Sequence, residues 1–233
     1  MSTTPQQFFE TIRAGDLTKV EQMLNADSAL LKARDDQGLD PYTVARYSRQ
    51  DTIAQMLLDR GIELDVFGAI LAGNEGRVRE LIHSDPSLVK SYSRDGWTPL
   101  HLSAFFGCGP CADDLIAQGA DVNAVSQNEM KNTPLHAAAA GRNRGIAAEL
   151  IAAGARVDSR QHGGWTALHS AAQNGDVEFV KLLLSNGADL NAKADNNQTA
   201  MDLALSHGQQ EVVDVLEAYT PRQVQPAPDI NLK

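Results

Sequence analysis

Cysteine is nearly missing from this chain: two of 233 residues, too few for a framework of disulfides. Aromatic residues make up only 5%, which excludes a core built on large rings. No apolar run approaches the ~20 residues of a membrane span. Residues 1–10 contain no basic residue and no apolar stretch of leader length, so a soluble, cytoplasmic protein is expected. Clustered lysine and arginine are absent, and the formal charge is −10. Phosphate binding needs the opposite sign, so neither nucleic acid nor membrane is expected as a partner. There is no P-loop, no His-Glu-x-x-His, no EF-hand loop and no nucleophile elbow. No catalytic residue, metal ligand or cofactor site is therefore assigned, and a non-enzyme is expected.

What is present is one phrase, repeated. Thr98-Pro99-Leu100-His101, Thr133-Pro134-Leu135-His136 and Thr166-Ala167-Leu168-His169 start 33 to 35 residues apart, and Thr199-Ala200-Met201-Asp202 is a weaker fourth copy. A fixed spacing of this size marks a repeat array with one stacked core. Within each copy the threonine suits a helix N-cap, and proline at the next position loses no needed N–H. Small residues follow at Ala104, Ala139 and Ala172, then a helix-ending glycine at Gly107, Gly141, Gly175 or Gly208. A second helix carries an apolar stripe, as in Leu182-Leu183-Leu184, and ends at Gly119, Gly154 or Gly187, where a left-handed cap favours glycine. Earlier copies emerge on comparison: Asp40-Pro41-Tyr42 opens one, and the stretch from Phe8 to Gly38 aligns with that from Val66 to Gly96.

These motifs resemble the ankyrin repeat, over about residues 6 to 219, and the chain is identified as a small, bacterial-type member. The resemblance implies an all-α, ankyrin-like α-solenoid of about seven stacked helix-turn-helix units with β-turn fingers. The units start near residues 6, 40, 64, 98, 133, 166 and 199. A short N-terminal tail (1–5) precedes them, and the proline-bearing stretch 220–233 is read as a disordered tail. The step from the second to the third unit leaves no room for a finger, so a tight connection is expected there. Longer segments follow the second helices of units one and three, where Asp85-Pro86-Ser87 suggests a turn or short helix. His101, His136 and His169 are read as structural, with ring nitrogens bonding backbone groups, because successive helices lie ~8–10 Å apart, too far for a shared metal.

The resemblance further implies a non-enzymatic module that binds a partner protein, most simply as a monomer, through a concave face of finger tips and first-helix ends. Transferred to this sequence, those positions include Tyr92, Arg94, Asp95, Trp97, Glu129, Met130, Asn132, His162 and Trp165 on fingers. On first helices they are Tyr47-Ser48, Phe105-Phe106, Ala140-Gly141, Gln173-Asn174 and Ser206-His207. Both tryptophans fall in this set, and exposed aromatics mark interaction sites. Trp97, Phe105, Phe106 and Trp165 are expected to supply an apolar patch; the competing reading has each tryptophan only covering its own finger and the Phe105-Phe106 pair filling space between units. Two functional alternatives stand beside this one. Cys108-Gly109-Pro110-Cys111 opens a helix in the spacing of a thiol–disulfide centre, although Cys111 also occupies the register of Val78, Ile146 and Val177 and is read first as a buried small hydrophobe; full burial of Cys111 counts against the redox reading. The other alternative is a dedicated chaperone or inhibitor of one neighbouring protein.

Overall fold

The chain was analysed as a computed structural model that describes residues 4–219; most of the two expected tails, 1–3 and 220–233, lies outside the described residues. Those residues form α-helices, short 3-10 turns and loops, with no strand among them. Two compact units divide the chain, Met1–Ala155 and Arg156–Lys233. In the first, α1 (Pro5–Ala14) pairs with α2 (Leu17–Ala26), α3 (Pro41–Tyr47) with α4 (Asp51–Asp59) and α5 (Val66–Leu71) with α6 (Glu75–Ser84). The same unit continues with α7 (Pro99–Phe106) on α8 (Gly109–Ala117) and α9 (Pro134–Ala140) on α10 (Arg144–Ala152). In the second unit α11 (Ala167–Gln173) pairs with α12 (Val177–Ser185), and α13 (Ala200–Ser206) with α14 (Gln210–Tyr219).

Local chemistry starts each helix. Asp40 and Asp65 accept backbone N–H bonds at the heads of α3 and α5, and Thr98 does so at α7. Second helices use the same device, with Asp16, Asn74 and Asp176 as side-chain caps for α2, α6 and α12. Between α4 and α5 the chain needs only residues 60–65, whereas 3-10 turns at Ser28–Lys32 and Pro86–Lys90 fill the segments after α2 and α6.

Packing follows two side-chain classes. Alanines 104, 112, 137, 138, 147, 171, 172 and 204 are buried, and their small side chains let neighbouring helices approach closely. Leu100, Leu115, Leu135 and Leu150 fill the space between them and are at most 1% exposed, each contributing about 1.5–3 kcal/mol by removal from water. Short α7 is buried from Pro99 to Ala104, so it shows no amphipathic stripe in sequence. The outer helix α12 does: Phe179, Val180 and Leu183 face inward, while Lys181 and Glu178 pair at 2.8 Å in solvent.

The recurring histidine closes each of these turns. At α7 the Thr98 hydroxyl accepts from the His101 N–H, and the Thr98 N–H donates to His101 Nδ1 at 3.3 Å. His101 Nε2 lies 3.0 Å from the carbonyl oxygen of Asn132, in the finger of the following repeat. A carbonyl only accepts, so this network fixes the Nε2–H tautomer with Nδ1 as acceptor. His169 repeats the pattern, with Thr166 at its Nδ1 and the Gln198 carbonyl 3.1 Å from Nε2. In the last helix pair Asp202 takes over the capping half alone, accepting from the Thr199 N–H and hydroxyl at 2.8 Å.

Burial pushes the His101 imidazole down to about 4, and it also lowers His169. Both rings are neutral in the fold, while an unfolded chain takes up the proton near the ordinary value of 6.5. The unfolded state therefore binds more protons between those limits, and stability falls as pH drops through that window. Urea unfolding at a series of pH values should show full stability above about pH 7 and a progressive loss toward pH 4. His101→Asn should be weaker at neutral pH and show a shallower slope below it. An unchanged slope would remove His101 from the account.

Candidate protein-binding surface

Fingers are built from backbone bonds that leave their tips rigid. Ser93 donates its N–H to the Trp97 carbonyl at 2.8 Å and Gly96 closes the turn onto Ser93 at 2.9 Å. The next finger docks on this one: Gln127 N–H donates to the Gly96 carbonyl at 2.8 Å and the Asn128 side chain to the Asp95 carbonyl at 3.0 Å. Gly96 has φ +80°, and a Cβ there would sit 2.7 Å from the Asn128 nitrogen. Only glycine meets both conditions.

That finger presents Trp97 to the end of α7. The Trp97 ring meets Phe105 edge-on with centroids 5.5 Å apart, Phe105 meets Phe106 at 5.0 Å, and Phe106 stacks on Tyr47 of α3 at 6.3 Å with planes 5° apart. Each such pair adds ~0.5–1.5 kcal/mol beyond burial, so the four rings hold one another in place. They still face water: Tyr47, Phe105 and Phe106 are 36–40% exposed. Together with Arg46, Arg49, Asp95 and Leu102 they line a groove of about 430 Å³. Trp97 also lies over His101 at 5.8 Å, so covering the finger and shaping the groove are both true of this ring.

Charge is arranged at the groove's edges. Asp95 accepts from the Tyr47 hydroxyl at 3.0 Å and from Ser93 Oγ. Burial, with the Asp95 charge and hydrogen bond behind it, raises the Tyr47 phenol far above its ordinary value, so it stays a donor. Arg46 pairs with Asp51 at 2.6 Å, and Arg49, at φ +58°, is exposed. A smaller cavity of about 150 Å³ shares Tyr47 and Asp95 and adds Tyr92 and Arg94. The Tyr92 hydroxyl reaches the Val125 carbonyl at 3.3 Å.

The remaining candidates separate. Glu129 and Met130 are exposed on the following finger, outside the groove lining. Asn132 is buried at 5% exposure and gives its carbonyl to His101, so it offers no side chain to a partner. In the second unit His162 is exposed, Trp165 lies over His169 at 5.9 Å, and Gln173 reaches His207 at 3.4 Å, with Asn174 half-buried beside it. Arg46 and Arg49 had no sequence signal. Tyr47 did, because it shares the register of Phe105 and Phe106.

Cys111 is buried, as its register requires, and it forms a disulfide with Cys108. The helix-start spacing brings the two Cα atoms to 5.3 Å, inside the span a disulfide needs.

The family model for ankyrin repeats matches residues 66–161 and 143–224, with three copies. The chain belongs to the ankyrin-repeat family. Ankyrin repeats are protein–protein interaction modules, and the family is generally non-enzymatic. The chain is 36% identical over 104 residues to rat ankyrin repeat and SAM domain-containing protein 6, covering 44% of this chain and 12% of that protein. It is 32% identical over 130 residues to human neurogenic locus notch homolog protein 1, covering 52% of this chain and 5% of that protein. A third match, 42% over 67 residues, is to the serine/threonine-protein kinase VIK of Arabidopsis thaliana and covers 29% of this chain and 15% of the kinase. The chain thus spans a small part of the length of these relatives, and the likeness lies in the ankyrin repeats. No helix among the described residues is long and apolar enough to cross a membrane.

Gly96→Ala should lower stability by ~1–3 kcal/mol, the scale of a side chain forced into left-handed backbone. Because the clash is with the neighbouring finger, the signal of Trp97 should change with it. Unchanged unfolding and fluorescence would show that the two fingers are not locked at this point.

Proposed function

We propose that this chain acts in the cytoplasm as a monomeric, non-enzymatic adaptor that binds a partner protein through the aromatic groove of its first unit. In terms of the ankyrin resemblance this is the concave face. The observation that carries the reading is the ring series Tyr47–Phe106–Phe105–Trp97, the first three exposed and the tryptophan half-buried, held by mutual contact. A preformed aromatic surface loses little freedom on binding, so more of its contact energy appears as affinity. An apolar side chain of the partner enters the groove, while Tyr92, Arg94, Asp95, Glu129 and Met130 form the rim and tune selectivity. His162, Trp165, Gln173 and Asn174 offer a further contact set on the second unit. The acidic balance of the chain, −10, disfavours nucleic acid as the partner.

The test compares wild type with Trp97→Ala and Phe106→Ala in affinity capture from native extract, followed by titration of the purified captured protein. Each substitution should weaken binding by about 2 kcal/mol or more, with the thermal midpoint within a few degrees of wild type. A large loss of stability with intact binding would make these rings core and place the interface elsewhere.

A further inference from the structure

The Cys108–Cys111 bond sits where the other repeats place a helix cap. In α2, α6 and α12 the N-cap side chain of Asp16, Asn74 or Asp176 accepts the N–H three residues on. In α8 the N-cap residue is Cys108, its side chain makes no capping hydrogen bond, and it is tied covalently to Cys111, the residue three on. The same two positions are thus linked by sulfur where other units use a hydrogen bond. Opening the bond frees Cys108 Sγ to accept the Cys111 N–H as the aspartates do. A thiolate there gains the positive end of a nine-residue helix, the setting that lowers a thiol's pKa.

Access is unequal. Cys111 is 0% exposed, and Cys108 is half-buried. Gly107 and Gly109, which flank Cys108, form one wall of an open groove of about 550 Å³ whose other wall carries Arg142 and Arg144, with Glu149 at its edge. The exposed Arg142 guanidinium favours an anionic visitor.

We propose that Cys108 and Cys111 are a reversible two-electron thiol–disulfide couple, with Cys108 as the attacked sulfur and a small carboxylate-bearing thiol as its reaction partner. The incoming thiolate forms a bond to Cys108 Sγ as the bond to Cys111 breaks, and Cys111 leaves as a thiolate that takes a proton from water. A second thiolate attacks the small-molecule sulfur of the mixed disulfide and releases Cys108 as a thiolate. Two thiols are oxidised to their disulfide, and the protein gains two electrons. Cys108 lies two residues beyond Phe106, so the couple is placed at the end of the helix that supplies the aromatic groove.

Reduced glutathione is the probe. Folded wild-type protein incubated with it should yield one maleimide-reactive thiol per chain without denaturant, on Cys108, and a second, the buried Cys111, in urea. Cys111→Ala exposed to oxidised glutathione should carry one adduct, on Cys108, formed about tenfold or more faster than any adduct on the Cys111 of Cys108→Ala. Circular dichroism confirms that each variant is folded, and the wild-type result stands without either variant. Arg142→Ala should slow reduction by glutathione several-fold and leave reduction by uncharged mercaptoethanol unchanged. Thiols that appear only in urea would overturn the couple. Equal reactivity of the two cysteines would overturn the assignment of Cys108, and equal slowing with both reductants would overturn the anionic thiol.

Discussion

The repeats from α7 to α12 lean on one side-chain arrangement, the threonine–histidine pair at the head of the first helix. An imidazole has two nitrogens with opposite roles, and the chain uses both. Nδ1 accepts inside its own turn, while Nε2–H donates to a carbonyl in the following finger, as at His101 to Asn132 and His169 to Gln198. The same ring therefore starts a helix and sets where the next finger lies. Because Trp97 packs over His101, the aromatic groove takes its position from this buried bond.

The division of labour between rigid backbone and exposed ring explains how so small a motif can carry a binding surface. Finger turns are fixed by their own N–H and carbonyl groups and by the finger beside them, so their side chains are left over. The groove spends them on four rings in mutual contact, with Asp95 and the arginines at its edges. None of these contacts is needed to close a helix cap. Such positions are able to vary without loss of fold, and specificity in a repeat array is written there.

Much of the fold was legible because its signals are local. Threonine caps, prolines at the first helical position and glycines with positive φ such as Gly119, Gly154 and Gly187 each act within a few residues, so a repeated phrase reports them directly. The aromatic site was legible in part. Trp97, Phe105 and Phe106 stood out as unusual residues, but their meeting with Tyr47 depends on how α3 faces α7, which no spacing encodes. Arg46 and Arg49 carry nothing distinctive in sequence, and Asn132 looked like a finger tip because only its backbone role required burial. Cys111 was read from its register as a plain apolar residue. Register fixed its burial, but the choice between a free thiol and a bond lies in the 5.3 Å approach of two Cα atoms.

The histidine bond also has a direction. His101 and His169 both reach forward to the finger after them, so the dependence within each of these two pairs is one-sided. Losing the finger that holds Gln198 would strand the buried Nε2–H of His169 without an acceptor, a debt of a lost hydrogen bond and more. Losing the helix that holds His169 would leave the Gln198 carbonyl merely open to water. Asp202, which only accepts, creates no such obligation toward anything beyond it. Losing the residues that follow His101 or His169 therefore injures what is left behind, while losing those that precede either ring leaves its forward bond intact.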